Sequence, residues 1–82
     1  MRLDKFLKVS RVIKRRTVAQ DACGTGRVLV NGAVAKSGKQ IKIGDEITIE
    51  FGKEPLTIKV VALSETVRKE DADSLYEVVI KK

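Results

Sequence analysis

The spacing of apolar residues changes along the chain, and the change divides it in two. Leu3, Phe6 and Leu7 recur at i, i+3 and i+4, which predicts a short amphipathic helix over about residues 2–9 with Lys5 and Lys8 on its other face. The period breaks between Ser10 and Ile13. Val18, Ala19, Ala22 and Cys23 then form a second apolar stripe, with Arg16 and Gln20 outside it. This second helix is expected to end near Gly24 or Gly26, since glycine suits the left-handed conformation that terminates helices.

From Arg27 onward the period is two. "RVLVNGAVAK" sets Asn31-Gly32 between apolar runs, a strong hairpin signal because both residues tolerate positive φ. "EITIEF" and "PLTIKVVAL" alternate cleanly, with Ile47, Ile49 and Phe51 on one face and Leu56, Ile58 and Val60 on another. They are joined at Gly52 to Glu54, and Pro55 is confined to a strand start or edge because it cannot donate a ladder bond. "LYEVVIKK" predicts a last strand over about residues 75–81, whereas "SETVRKEDADS" is polar and aperiodic and reads as a loop with at most one helical turn. The fold class is therefore α+β: a helical hairpin followed by a small, mostly antiparallel sheet of four to five strands.

The chain's 82 residues form one small domain whose 43% hydrophobic content is enough for a core. Every third residue from Arg2 to Lys14 is charged, which excludes a secretory signal, and the cytoplasm is the expected location. With no His and a single Cys, the usual zinc sites and the Ser-His or Cys-His nucleophile arrangements are ruled out, so no metal, cofactor or catalytic residue is expected. Cys23, between Ala22 and Gly24, reads as a small core residue. Acid pairs such as Asp45 with Glu46 lie in stretches that read as turns.

Charge changes the picture. Arg2, Lys5, Lys8, Arg11, Lys14, Arg15 and Arg16 fall within the first sixteen residues against one acid, Asp4, and the remainder is balanced, so the whole net charge of +6 sits on the helical hairpin. So many like charges repel one another in a compact state unless a polyanion relieves them. A membrane surface would need a broad exposed apolar face, but Leu3, Phe6 and Leu7 are needed for the core. Gripping single strands requires aromatic platforms, and the chain offers only Phe6, Phe51 and Tyr76. Structured nucleic acid fits better; a basic helix-turn-helix could enter a DNA major groove as well as clamp an RNA bulge.

The strings "RLDKFLK", "RRTVA", "GRVLVNG", "AK" and "IKIGDEI" resemble the ribosomal-protein S-four-type RNA-binding domain, or αL motif. The motif core would cover about residues 2–51, with additional strands over about 55–82. At this length the chain is similar to the stand-alone heat-shock-protein-fifteen group, and within it to the members that act in bacterial ribosome quality control. The resemblance implies an RNA surface made by both helices and the adjoining hairpin loop. Its partners would be ribosomal RNA, the large ribosomal subunit, obstructed peptidyl-tRNA and quality-control factor H, which directs alanine tailing of stalled chains; the chain would act as a monomer. A ribosome-assembly or heat-shock role with the same RNA face is the alternative. Pseudouridine synthases carry similar domains, but no catalytic domain is expected here.

By that resemblance Arg2, Asp4, Arg16 and Lys36 match the motif's RNA-face positions, to which charge adds Lys5, Lys8, Arg11, Lys14 and Arg15. Gly26, Asn31, Gly32, Gly44 and Asp45 match its structural turns. Three departures bear on geometry. Arg15 replaces the Ser that would cap the second helix, Gly24 falls in that helix's last turn, and Ser37-Gly38 replaces Pro-Ser after Lys36, implying a looser loop. Asp4 repels phosphate unless it holds Arg2 or Arg16 in place, so Asp4→Asn is expected to weaken binding while moving the thermal midpoint by only a few degrees.

Overall fold

The structure is a computed structural model, and it describes residues 1–50, 54–64 and 69–79. Helix α1 spans Leu3–Val9 and helix α2 spans Arg16–Gly24. Helices this short are marginal in water and depend on tertiary packing. In α1 that packing comes from Leu3, Phe6 and Leu7, all completely buried. Its first amide groups find partners too: Leu3 N–H donates to the Lys39 carbonyl at 2.8 Å and Asp4 N–H to the Ser37 carbonyl at 3.1 Å. Those two bonds tie the Lys36–Lys39 turn to the helix, so the loop with Ser37-Gly38 in place of Pro-Ser is held, not loose.

Helix α2 packs on α1 and on the sheet through Ala19, Ala22 and Cys23. Val18 does not join them. It is 43% exposed, because small residues bring α2 close to its neighbours and leave the larger side chain at the rim. The helix starts at Arg16 with no side-chain cap, as the missing Ser implies, and runs through Gly24. It ends in a Schellman motif: Gly26, at φ 74°, donates to the Cys23 carbonyl and Arg27 N–H donates to the Ala22 carbonyl.

Five strands follow: β1 (Val28–Val30), β2 (Ala33–Val34), β3 (Glu46–Ile49), β4 (Leu56–Val60) and β5 (Tyr76–Val79). They form one antiparallel sheet in the order β2-β1-β3-β4-β5. Ile47 pairs with Ile58 and Ile49 with Leu56, so the two alternating runs line the same face rather than separate ones. Val28, Val30, Ile47, Ile49, Ile58 and Val60 complete the core against the helices, while Leu56, first in its strand, remains 40% exposed. Pro55 precedes β4, where its missing N–H costs no ladder bond. Phe51, which the pattern places on a face with Ile47 and Ile49, and the turn from Gly52 lie outside the described residues, as does the predicted strand end beyond Val79.

The polar stretch before β5 contains more order than its pattern suggests. Residues Lys69–Leu75 form a 3-10 helix that buries Ala72 and Leu75. These two recur every third residue, the 3-10 period, and so escape a search for the α-helical one.

At the β1–β2 hairpin, Asn31 (φ 53°) and Gly32 (φ 83°) both adopt the left-handed conformation that the turn requires. Asn31 does more than turn. Its Oδ1 accepts from Glu46 N–H at 3.0 Å, and its amide donates at 3.2 Å to Asp45, whose other oxygen accepts from Lys42 N–H at 3.0 Å. Asp45 is buried, and Gly44, at φ 97°, allows the chain to turn into it. Asn31→Ala would strip partners from Asp45 and Glu46 and force Ala into positive φ. It is expected to lower unfolding free energy by about 2 to 3 kcal/mol, read as a fall in denaturant midpoint at constant slope.

Candidate nucleic-acid interface

The basic helices meet at a single acid. Asp4 lies in the first turn of α1 with no exposed surface, where its charge also favours the helix dipole. A buried carboxylate is tolerated only when its oxygens are fully engaged. Lys5 N–H donates to Oδ1 at 2.8 Å, and the Arg2 Nε lies 3.3 Å from the same oxygen. Arg16 Nε donates to Oδ2 at 3.2 Å and the Gln20 amide donates to it at 3.0 Å. Burial by itself would raise the Asp4 pKa; the Gln20 amide, Arg16 and the Lys5 N–H outweigh it and hold the carboxyl below its ordinary value.

Both arginine side chains also reach the surface. The Arg2 and Arg16 side chains are 48% and 42% exposed. Arg16 turns Nε to the carboxylate, while Arg2 grips it with two nitrogens, Nε beside Oδ1 and Nη2 donating to Oδ2 at 3.5 Å. Two planar, fixed donor forks arise in this way from residues distant in sequence, a geometry suited to phosphate. Asp4 thus pairs with both arginines, where charge alone suggested either one. Gln20 is the residue that sequence reading left out: it sits four positions after Arg16, one turn along α2, and that spacing was its only signal.

Lys8, Arg11, Lys14 and Arg15 are exposed, and no acid among the described residues pairs with them. Lys5 is half-buried. Arg11 is distinctive in backbone as well as charge. It follows the α1 cap residue Ser10 at φ 61°, in the position that Gly26 fills after α2. A long side chain in that conformation is strained by about 1 to 2 kcal/mol. Lys36 is exposed on the turn that caps α1, and Arg2 lies across that turn, its Nη2 3.8 Å from where a Gly38 Cβ would stand. The structure therefore brings Arg2, Asp4, Arg16 and the Lys36 turn together, while Asn31 and Asp45 of the predicted turns bond to each other and tie the β1–β2 hairpin to the start of β3. Burial, reinforced by the Asp4 charge, pushes the Cys23 thiol up, leaving it a neutral core group. Among the described residues, no cluster of His, Cys, Asp and Glu could hold a metal ion, and no helix is long and apolar enough to cross a membrane.

Comparison with known proteins matches this geometry to a family. The S4 domain profile matches residues 1–47. The chain is 59% identical to the RQC P-site tRNA stabilizing factor of Halalkalibacterium halodurans, over 95% of its own length and 89% of that protein. It is 49% identical to the factor of the same name from Streptococcus pneumoniae, over 96% and 90% of the two lengths. The trimeric structure of heat shock protein 15 from Vibrio cholerae superposes with a TM-score of 0.88 at 35% identity, covering 96% of this chain and 81% of that one.

Burial overturns the expectation that Asp4→Asn leaves stability nearly unchanged. An Asn amide turned toward Gln20 and Arg16 sets donor against donor inside the fold. The exposed arginines soften the loss, which is expected to reach about 2 to 3 kcal/mol, or on the order of 10 °C in thermal midpoint. Because the folded pKa of Asp4 is depressed, its stabilisation is complete above the ordinary carboxylate range and disappears as pH falls through the lower folded value. Asp4→Asn should therefore flatten the acid limb of the stability profile, measured by thermal melts from neutral pH down to about pH 2. Arg11→Gly should do the opposite, raising stability by up to about 1 kcal/mol while weakening RNA binding, as melting and titration of the same preparation will read.

Proposed function

The chain belongs to the S4 domain family, and on that premise we propose that it is a non-catalytic RNA-binding factor acting on ribosomal RNA and transfer RNA at the large ribosomal subunit. Its substrate is the subunit that still carries an obstructed peptidyl-tRNA, in the cytoplasm, where factor H directs alanine tailing of the stalled chain. The observation that carries this reading is the Asp4 clamp, which holds two half-exposed arginine side chains, one from the N-cap of α1 and one from the start of α2, on one carboxylate. Fixed guanidiniums suit a folded RNA whose phosphates are themselves fixed, because little rotamer freedom is lost on contact. The name of the two bacterial relatives supports the quality-control role and the P-site tRNA as ligand. A monomer suffices, since Arg2, Asp4, Arg16 and Gln20 all come from one chain.

The assembly or heat-shock reading shares this face and draws support from the likeness to heat shock protein 15. Loading of the particle separates the two. A quality-control factor prefers large subunits holding peptidyl-tRNA over empty ones, and an assembly factor does not. Duplex DNA should compete poorly with either.

Sucrose-gradient sedimentation of lysate should therefore find the protein with peptidyl-tRNA-bearing large subunits. Purified binding should weaken with salt at a log–log slope near −4, the value for about five phosphate contacts. Arg16→Lys removes both the Nε bond to Asp4 and the planar fork, and should cost about 1 to 3 kcal/mol of affinity, whereas Lys8→Arg should change little. Equal effects of the two substitutions, or a slope shallower than about −1, would overturn the reading.

A further inference from the structure

Beside the clamp, a groove of about 600 Å³ lies at β2, lined by Val30, Ala33, Val34 and Ala35 and by the Lys36–Lys39 turn. A second hollow of about 460 Å³ shares Val34 to Ser37 with it and reaches Cys23 and Gly26 at the end of α2. Most of the wall is aliphatic, no acidic residue lines either hollow, and Lys36 and Lys39 are the cations among the lining residues. We propose that this groove is a nucleotide site: it receives one unpaired base swung out of the structured RNA whose backbone the Asp4 clamp holds.

Four observations carry this. Val34, at the junction of the hollows, is 65% exposed, so the apolar floor is available as it stands. The rim is cationic, from Lys36 and Lys39, and Arg2 Nη2 lies 3.8 Å from where a Gly38 Cβ would stand, which makes the groove continuous with the clamp. The Lys36–Lys39 turn is fixed before any ligand arrives, by its carbonyls accepting from Leu3 and Asp4 N–H. Finally β2 is an edge strand of only two residues. That is too short for an added peptide strand to build a ladder, but its open backbone groups can meet the polar edge of a base. The volume falls in the range of small-ligand clefts, about 300 to 1,000 Å³. An apolar body with an attached phosphate fits both wall and rim, and unstacked bases are what RNA offers for reading.

The proposal rests on the RNA-binding reading, and its test separates the two. Two RNA hairpins are compared by titration, identical except that one carries a single bulged uridine. The wild-type chain should prefer the bulged hairpin by about fivefold, the scale for burying part of one base face on aliphatic carbon in the absence of an aromatic platform. Val34→Gln, neutral and at an exposed strand position, should reduce that preference to about twofold or less while leaving the plain hairpin and the melting temperature nearly unchanged. A 4-thiouridine at the bulge should crosslink to the 33–39 segment. Equal wild-type binding of the hairpins, a preference surviving Val34→Gln, or a crosslink elsewhere would overturn the groove with RNA binding intact. Failure to bind either hairpin, against retained binding to large subunits, would equally remove the bulged nucleotide as the occupant; loss of both removes the RNA reading itself.

Discussion

Much of this molecule follows from burying one carboxylate. Asp4 has no exposed surface, and transferring its charge from water would cost several kcal/mol if its oxygens went unpaired. The chain surrounds it with an amide from its own helix, guanidiniums from Arg2 and Arg16, and the Gln20 side chain. Those donors come from the start of α1 and from two successive turns of α2. Satisfying the carboxylate therefore fixes how the two helices sit together, a task that their short apolar stripes could not complete alone. Since α2 is packed through small residues, little of that fixing can come from interlocking side chains.

The same constraint extends to the loop. Asp4 belongs to a seven-residue helix whose first N–H groups would otherwise be orphans, and the Lys36–Lys39 turn accepts from two of them. The turn in turn follows β2, so clamp, capping loop and sheet edge are parts of one hydrogen-bonded assembly. Moving Asp4 would disturb the position of Lys36 as well as both arginines.

What was legible in the sequence reflects how local each signal is. Leu3, Phe6 and Leu7 disclose α1, and Asn31-Gly32 the hairpin, because each is a short pattern whose meaning depends on neighbours in the chain. Val18 and Leu56 fit their patterns but lie at the ends of their buried surfaces, where only the packing of other elements decides exposure. The 3-10 helix of Lys69–Leu75 was hidden by its period, and Gln20 by the sixteen residues that separate it from Asp4. For the site, charge counting singles out the first sixteen residues yet ranks their cations equally. Only contacts across the helical hairpin distinguish the clamped arginines from the rest.

That inequality bears on what the surplus charge does. Seven cations packed near each other repel, and screening at cellular ionic strength reduces the repulsion without removing it. Lys8, Lys14 and Arg15 supply long-range attraction that any polyanion would feel. Arg2 and Arg16 are held at defined positions by a shared acid, and a rigid donor loses less freedom when it meets a phosphate. Attraction can bring RNA to the surface, but selection among folded RNAs requires donors whose spacing does not adapt. An acid inside a basic surface lowers the total attraction and makes such spacing possible, which gives a physical reason for Asp4 to stand where charge alone disfavours it.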